Sequence, residues 1–258
     1  MKNFSYCFLR EVVLRKEWSG IITENNNDRP VFRHELKYLI NYGDKEIIKT
    51  RLGGLIQKDT HAKNGFYKIR SLYFDDYWNS SYEEKLMGVT SRSKFRIRIY
   101  DDSDSVINLE KKIKQGNYIN KQNARLTREE TEKILVGDYG FLLKHENKIC
   151  REFYIQCVSN IMRPRVIVDY EREPFIFAVG DVRITFDTDV RASSLEFALF
   201  DPKLPTLSVL DPDKLVMEVK FTELLPQMIR KALPSRAAEL SAVSKYVLCC
   251  EKTNYILS

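Results

Sequence analysis

Strict alternation of charged and apolar residues predicts that several parts of the chain are β-strands with one polar face. The clearest example is the segment 93–100, where Lys94, Arg96 and Arg98 alternate with apolar side chains. Successive side chains of a strand point to opposite faces of its sheet, so the three cations share one face. Like charges within roughly 14 Å of one another repel. The pattern therefore predicts an anionic ligand on that face.

The same alternation returns on strands far apart in the sequence. The charged sets on their polar faces are Arg33, Glu35 and Lys37; Glu110 and Lys112; Arg183, Thr185 and Asp187; and Glu218 and Lys220. One amphipathic strand with a solvated polar face would be ordinary, but repetition favours a sheet that brings these faces together. We expect a cavity lined by many cations and a few carboxylates.

Periodicity and capping signals predict the remaining elements. Further strands are predicted at 31–38, 67–75, 106–113, 165–171, 174–178, 181–188 and 214–221, and helices at 44–57, 147–161, 223–233 and 236–251. Thr127 and Glu130 form a capping-box pattern that predicts one more helix start. Residues 1–29 are predicted to be an N-terminal extension, followed by one domain over 30–252.

Composition narrows the function classes. The 258 residues include 42 Lys and Arg against 36 Asp and Glu, and the resulting net charge of +6 favours an anionic partner. The five cysteines include no Cys-x-x-Cys pair, which argues against a disulfide framework or a zinc site and for a reducing compartment. No apolar run is long enough to span a membrane. We therefore expect a cytoplasmic protein, held at any membrane by a partner protein.

The arrangement of the cations also separates two kinds of anionic partner. They alternate with carboxylates on strand faces and do not form a patch with stacking aromatic residues, which argues against nucleic acid. The mixture suits a polyphosphate chain, a ligand more anionic than a phosphomonoester. Arg and Lys bind non-bridging phosphate oxygens, and a few carboxylates hold a divalent cation that bridges phosphates.

Short motifs in a fixed order give the chain a family resemblance. They are RHELKY at 33–38, SLYFD at 71–75, KFRIRIY at 94–100, LEKK at 109–112, RPRVIVDYER at 163–172, RITFD at 183–187, MEVKF at 217–221 and SKY at 244–246. With this order and spacing, the chain from Val31 to Glu251 resembles the polyphosphate polymerase domain of the vacuolar transporter chaperone (VTC) family. That family is a branch of the CYTH-like triphosphate tunnel metalloenzyme superfamily.

The resemblance implies an α+β fold, with an antiparallel β-barrel of about eight strands around a polar tunnel and helices on the outside. It implies transfer of the terminal phosphate of ATP to a growing polyphosphate chain, with Mn²⁺ or Mg²⁺. The implied catalytic residues are Arg96, Arg98, Lys245 and Glu218, with Glu218 as the metal ligand. The implied phosphate-binding residues are Lys37, Lys94, Lys112, Arg172, Arg183, Lys220 and Ser244, with Arg125 or Arg128 as a further cation.

One departure from the superfamily pattern concerns its first motif. Triphosphate tunnel hydrolases and cyclases usually open with Glu-x-Glu-x-Lys, and here Arg33 stands at the first Glu position. Exchange of a metal carboxylate for a cation favours a tunnel that holds a polymer over a two-metal hydrolase. Eukaryotic members also carry a phosphate-sensing domain and membrane helices, which we do not find here. We therefore do not expect coupled synthesis and translocation from this chain alone.

Two other functions fit the same residues. A catalytically silent module that binds polyphosphate would need the cations but no turnover, and a metal-dependent triphosphatase would release free phosphate. Glu218 also has a simpler interpretation, as an ion-pair partner for the cations around it. These alternatives make different predictions for turnover and for the product, and Glu218→Gln is the substitution that separates catalysis from binding.

Overall fold

Antiparallel pairing joins ten strands of the described chain into one sheet. The computed structural model describes residues 33–60, 62, 64–116, 118–177, 179–234 and 243–257. The predicted extension at 1–29 and the start of the helix predicted at 236–251 lie outside these residues.

The elements have the following bounds. The strands are β1 (His34–Asn41), β2 (Gln57–Lys58), β3 (Tyr67–Asp75), β4 (Ser91–Tyr100), β5 (Ser103–Gln115), β6 (Tyr118–Leu126), β7 (Arg163–Phe177), β8 (Val182–Ser193), β9 (Leu207–Ser208) and β10 (Lys214–Phe221). The helices are α1 (Tyr42–Leu52), α2 (Ser80–Leu86), α3 (Arg128–Leu135), α4 (Lys148–Ser159), α5 (Gln227–Ala232) and α6 (Lys245–Leu257).

The sheet follows the order β1-β10-β8-β7-β3-β4-β5-β6, with β2 attached to β7 and β9 attached to β8. The two ends of this path meet at an isolated bridge, where the backbones of Arg33 and Ile119 exchange two hydrogen bonds of 3.2 Å. The fold is therefore α+β, with a sheet whose end strands touch without forming a continuous ladder. The resemblance implied a closed barrel. In the observed sheet of the described residues, the two ends are joined only by this single bridge, and a closed barrel is not confirmed.

Strand register keeps the polar positions on one face of the sheet. Lys37 of β1 lies opposite Glu218 of β10, which lies opposite Thr185 of β8. At another place in the sheet, Arg96 of β4 lies opposite Glu110 of β5. Residues directly opposite across a strand pair project to the same face. The charged sets of distant strands are thereby collected on one side, as the alternation predicted.

The other face of the sheet is apolar and packs against helices. The side chain of Asn147 caps α4 by accepting a hydrogen bond of 2.9 Å from the backbone N–H of Ile149. The helix then places the ring of Phe153 at 4.9 Å from Phe74 of β3 and 5.2 Å from Phe95 of β4, measured between centroids. All three rings are buried. The opposite face carries the polar side chains and also a second apolar cluster, which includes Val168 of β7 and Tyr246 of α6.

Several predicted strands are confirmed with their bounds. β3 and β10 cover the residues predicted, 67–75 and 214–221. The two strands predicted at 165–171 and 174–178 are wrong as separate elements, since β7 runs through both. β6 was not predicted, because polar residues occupy most of Tyr118–Leu126 and leave little alternation to detect.

The first helix begins two residues earlier than predicted. Asn41 is its N-cap: its side chain accepts a hydrogen bond of 2.8 Å from the backbone N–H of Asp44, and the Asp44 carboxylate accepts one from Asn41. Asp44, the first residue of the predicted helix, is thus the acidic partner within the first turn. The helix ends at Leu52, before the Gly53-Gly54 pair, where Gly54 has a positive φ of 77°.

We predict that Phe153→Ala lowers the free energy of unfolding by about 3–5 kcal/mol, because it leaves a cavity between α4 and the sheet. Ile155→Ala on the same helix is the matched control, since Ile155 is 52% exposed and its truncation should cost little. Urea denaturation of both variants measures the difference. Equal losses would contradict the assignment of α4 to the core.

Candidate functional site

The charged faces of the strands converge on one cavity of about 600 Å³. Its basic lining residues are Lys37, Lys85, Arg92, Lys94, Arg96, Arg98, Lys112, Lys114, Arg172, Lys220 and Lys245. The acidic lining residues are Glu35 and Glu218. Eleven basic residues against two acidic ones is an excess of nine, larger than the net charge of +6 of the whole chain. The basic character of the protein is therefore concentrated in this cavity.

The guanidinium of Arg96 is held from both neighbouring strands. It donates hydrogen bonds of 2.7 Å to the carboxylate of Glu110 on β5 and of 2.7 Å to the hydroxyl of Tyr73 on β3. Glu110 is fully buried and also accepts a hydrogen bond of 2.9 Å from Lys121. Burial acts to lower the pKa of Arg96, but the Glu110 carboxylate and the hydroxyls of Tyr73 and Tyr170 together hold that pKa well above its ordinary value. Arg96 is thus a fixed cation.

Arg98, two residues further along β4, is held by neutral groups. It donates to the hydroxyl of Ser71 at 3.0 Å and to that of Tyr170 at 3.1 Å. The nearest described carboxylate oxygen, on Glu110, is 4.0 Å from its Nη1. The two hydroxyls orient the guanidinium without neutralising it, so its charge is available to a ligand.

Glu218 on β10 is surrounded by four cations. It accepts hydrogen bonds from Lys245 at 3.0 Å and from Arg172 at 3.3 Å. The ammonium groups of Lys37 and Lys220 lie 3.5 Å and 3.3 Å from its oxygens. Burial would raise the pKa of this carboxyl, but Lys245 and the other cations hold it well below its ordinary value. Glu218 is therefore ionised and reduces the repulsion among four like charges.

A second buried carboxylate, Asp187 on β8, supports the same cluster. Arg172 donates to its two oxygens at 2.6 Å and 2.7 Å, and the ammonium of Lys245 lies 2.5 Å away. Burial would raise the pKa of Asp187, but the charges of Arg172 and Lys245 together lower it instead. Lys245 is the first residue of α6, so this ion pair anchors the start of that helix against the inner face of the sheet.

Glu35 on β1 compensates the lysines on the other side of the cavity. Its oxygens lie 3.0 Å from Lys112, 3.5 Å from Lys220 and 3.6 Å from Lys37. Burial would raise the pKa of Glu35, and the three lysines together lower it. Glu35 and Glu218 thus share Lys37 and Lys220 between them, which makes one connected network of ion pairs.

The donor set around these carboxylates does not fit a metal centre built by the protein alone. A divalent cation takes several oxygen ligands. The described residues contain no group of three or more His, Cys, Asp or Glu side chains that could hold one. Glu218 and Glu35 are each surrounded by cations that would oppose a further positive charge. The structure places Glu218 in an ion-pair network, and its role as a metal ligand stays a prediction.

Lys94 and Lys112 are directly opposite each other on β4 and β5. Burial lowers the pKa of each ammonium to about 7. The Lys94 ammonium lies 4.2 Å from the centre of the Tyr246 ring and, among the described residues, has no carboxylate within 4.0 Å. A bound anion would stabilise the charged form of both lysines, so anion binding at this place is coupled to proton uptake.

Most of the predicted site residues are brought together here. Those that line the cavity are Lys37, Lys94, Arg96, Arg98, Lys112, Arg172, Glu218, Lys220, Ser244 and Lys245. Arg183 does not line the cavity: its guanidinium lies 2.9 Å from the carboxylate of Asp59 and 3.1 Å from the hydroxyl of Tyr67. The register of β8 and β10 sets it opposite Lys220, but these two partners draw its side chain elsewhere.

Three other predicted cations lie away from the cavity lining. Arg125 donates to the backbone carbonyl of Ser105, and Arg128 is an exposed residue at the start of α3 that pairs with Asp104 at 3.1 Å. Arg33 is exposed at the isolated bridge. The interpretation of Arg33 as an added tunnel cation is therefore wrong, because its position at the strand end does not bring its side chain to the lining.

Three lining cations were not selected from the sequence. Arg92 and Lys114 continue the alternation of β4 and β5 by one step each, so the periodic signal was present and could have identified them. Lys85 lies in the last turn of α2, where no strand periodicity points to the cavity. Lys85 reaches the lining because α2 lies directly before β4 in the chain.

Comparison with known proteins places the chain in a family. The family described as VTC domain matches residues 32–254, and the chain therefore belongs to the VTC domain family. No curated protein matches the sequence at a significant level. In the described residues, no helix combines the length and the apolar character that a membrane crossing requires.

Comparison with solved structures gives matches of low sequence identity. A proposed adenylate cyclase from Bacillus halodurans is 13% identical, with 74% of this chain and 82% of that chain covered and a TM-score of 0.43. A proposed adenylyl cyclase from Hippeastrum, described as having a dominant triphosphatase activity, is 13% identical, with 86% and 95% covered and a TM-score of 0.46. A protein from Pyrococcus horikoshii is 11% identical, with 84% and 98% covered and a TM-score of 0.45.

We predict that Lys94→Met raises the free energy of unfolding of the ligand-free protein most below about pH 7. The lowered pKa of Lys94 means that protonation costs more in the folded than in the unfolded chain. That penalty is fully present below pH 7 and fades as the pH rises toward the ordinary lysine pKa of about 10.4. Urea denaturation from pH 6 to pH 10 measures it.

Lys148→Met controls for the loss of a lysine, since Lys148 is an exposed residue on α4. The gain from Lys94→Met should shrink with rising pH relative to this control. A gain that stays constant across the range would show that the effect is hydrophobic and not a consequence of the buried charge.

Proposed function

We propose that this chain is a polyphosphate polymerase, which transfers the terminal phosphate of ATP to a growing inorganic polyphosphate held in the cavity. The observation that carries the proposal is the convergence of basic side chains from five strands and two helices on one cavity. A linear polyphosphate has negative charge on every phosphate unit. A row of cations therefore complements a polyphosphate better than a phosphomonoester. Membership of the VTC domain family supports the same function.

We infer that the sheet encloses the polymer as a tunnel. The Arg33–Ile119 bridge supports this inference because it brings β1 to β6, the two ends of the sheet path. The convergence of charged side chains on the face opposite to α4 supports it as well. The tunnel would be narrow enough to keep a linear polyanion in contact with cations on several strands.

The proposed reaction needs no covalent intermediate with the protein. An oxygen of the terminal phosphate of the acceptor chain attacks the γ-phosphorus of ATP. The bond from that phosphorus to the β–γ bridging oxygen breaks, and ADP leaves with the electron pair. Catalysis then consists of holding the two ends in line and neutralising the charge on the transferred group.

Three cations are placed for that task. Arg96 and Arg98 project from one strand with their guanidinium groups fixed by neighbouring side chains. Lys245 comes from α6, and Glu218 holds its ammonium at 3.0 Å. In this proposal Glu218 serves catalysis by orienting Lys245. The remaining phosphate-binding residues would be Lys37, Lys94, Lys112, Arg172, Arg183, Lys220 and Ser244.

Arg183 is the least supported member of that set, because Asp59 and Tyr67 already contact its guanidinium. ATP would act as its complex with Mn²⁺ or Mg²⁺, in which the phosphate oxygens supply ligands to the ion. A substrate that brings its own ion agrees with a cavity that has only Glu35 and Glu218 as acidic lining residues. In this proposal the metal ion is part of the substrate.

A second candidate function is a polyphosphate-binding module without turnover. The observation in its favour is that the cavity carboxylates are engaged with cations, while the described residues hold no cluster suited to a metal ion. Such a module would act as a sensor or a subunit of a larger assembly. A triphosphatase would instead consume ATP without forming polymer, so the products distinguish all three.

We propose a reducing compartment, the cytoplasm, for this activity. The cysteines Cys150, Cys157, Cys249 and Cys250 are buried free thiols. Burial raises the pKa of Cys150 to about 11 and of Cys157 to about 12, so neither thiol is readily ionised. These cysteines pack as small apolar residues and need no oxidising environment.

We predict that the wild-type chain, incubated with ATP and Mn²⁺ and a short polyphosphate primer, forms long-chain polyphosphate and ADP. Glu218→Gln should reduce this turnover at least about tenfold, since Lys245 would lose a charged partner that orients it. Gel analysis of polyphosphate and a coupled assay for ADP measure the two products. Absence of polymer with release of free phosphate would favour the triphosphatase, and absence of both would favour the binding module.

Direct binding separates these outcomes from misfolding. Glu218→Gln keeps the shape of the side chain but removes one negative charge from the lining, so tripolyphosphate should bind as tightly as to the wild type or more tightly. Isothermal titration calorimetry measures this affinity. Weaker binding together with a lower melting temperature would mean that Glu218 acts mainly in stability.

We predict that Arg98→Gln lowers polymerase activity by about 10²-fold, since it removes a fixed cation from the reacting phosphates. Arg128→Gln is the matched control, because Arg128 is exposed and lies away from the cavity lining. Initial rates at saturating ATP measure both. Equal rates for Arg98→Gln and the wild type would contradict the placement of the reaction at β4.

A further inference from the structure

Inward-facing residues of β4 and β5 stand opposite one another in pairs whose charge compensation falls toward one end of the hairpin. The successive pairs are Arg96 with Glu110, Lys94 with Lys112, and Arg92 with Lys114. In the first pair a cation meets a carboxylate. In the other two, a cation meets a cation, which is an unfavourable arrangement for residues directly opposite in a sheet.

The last pair is the least compensated of the three. Lys112 of the middle pair has Glu35 at 3.0 Å. Among the described residues, no carboxylate oxygen lies within 4.0 Å of Arg92 or Lys114. Arg92 donates to the backbone carbonyl of Val89, a neutral acceptor that does not compensate its charge.

Lys85 of α2 adds a third cation at the same place. It also has no described carboxylate within 4.0 Å, and the charges of Arg92 and Lys114 add to burial in lowering its pKa. Burial lowers the pKa of Arg92, and the charge of Glu84 offsets this in part. The three cations line the cavity, and we call Lys85, Arg92 and Lys114 the basic rim.

The basic rim lies where the cavity meets solvent. Arg92 follows the exposed Ser91 at the start of β4, and Lys114 comes just before the exposed turn at Gly116. Lys85 precedes Leu86, which is 52% exposed. The rim cations are themselves half-buried, so they face the cavity and its opening together.

We propose that the basic rim is the place where a long polyphosphate chain leaves the cavity, and that it binds phosphates beyond those held at the reacting end. This inference rests on the proposed function and deepens it. A polymer longer than the cavity must cross its boundary, and the cations in this part of the lining have no carboxylate oxygen of the described residues within 4.0 Å. The inner network would hold a short ligand without help from the rim. Affinity should therefore increase with chain length because of these three residues.

The test compares two ligands and two variants. The rim variant is Lys85→Gln/Arg92→Gln/Lys114→Gln. The control variant, Arg128→Gln/Lys133→Gln/Lys148→Gln, removes the same charge from α3 and α4, where these side chains are 52%, 42% and 55% exposed. Calorimetry with sodium tripolyphosphate and with long-chain polyphosphate, at low and moderate salt, gives the affinities. Thermal unfolding checks that both variants fold.

We expect the rim variant to bind long-chain polyphosphate about tenfold more weakly, with tripolyphosphate affinity within about twofold of wild type. The salt dependence of long-chain binding should also fall, since fewer counterions are released. The control variant should match the wild type. Equal losses in both variants would overturn the inference in favour of net charge alone, and so would equal losses for both ligands.

The binding measurement keeps this inference separate from the proposed activity. A wild-type chain that binds long chains through the rim but forms no polymer would refute the polymerase and leave the rim in place. A chain that makes polymer while the rim variant binds both ligands like wild type would refute the rim alone. No binding of either ligand by the wild type would refute both. Lys114→Gln alone, expected to weaken only long-chain binding, repeats the test if the triple variant fails to fold.

Discussion

The structure depends on the compensation of buried cations by buried carboxylates. Removing an ion from water costs several kcal/mol, and a row of like charges adds repulsion to that cost. Three carboxylates from different strands offset it: Glu110 beside Arg96, Asp187 beside Arg172, and Glu218 at the centre of four cations. Each is almost entirely buried. Without them the polar face of the sheet could not fold inward.

The carboxylates compensate only part of the positive charge of the cavity, since the cavity has more basic than acidic lining residues. The remaining positive charge is reduced at Lys94 and Lys112, because burial brings the pKa of each ammonium group to about 7. Arginines cannot respond in this way, as Arg98 shows by retaining its charge among neutral hydroxyls. An anionic ligand would relieve both kinds of cost at once. The same charges therefore limit stability without ligand and supply affinity with it.

The alternation of charged and apolar residues predicted which side chains share the inner face of the sheet. It could do so because the two-residue period of a strand depends only on neighbouring residues. It predicted β3 and β10 with their bounds, and it predicted that Lys37, Arg96, Arg98 and Glu218 line one cavity. It could not predict partners, which depend on register and on helices far away in sequence. Asp59 and Tyr67 draw Arg183 out of the cavity lining, and α2 brings Lys85 into it. The largely polar β6 gave too little alternation to be found.

The position of Arg33 bears on what the cavity can do. Its side chain is exposed and does not line the cavity, so it adds no cation there. The acidic residues of the lining itself are Glu35 and Glu218. Each of these already has lysine neighbours. A site with so few free oxygen ligands is better suited to holding a polyanion, whose phosphates bring oxygens of their own, than to assembling two metal ions.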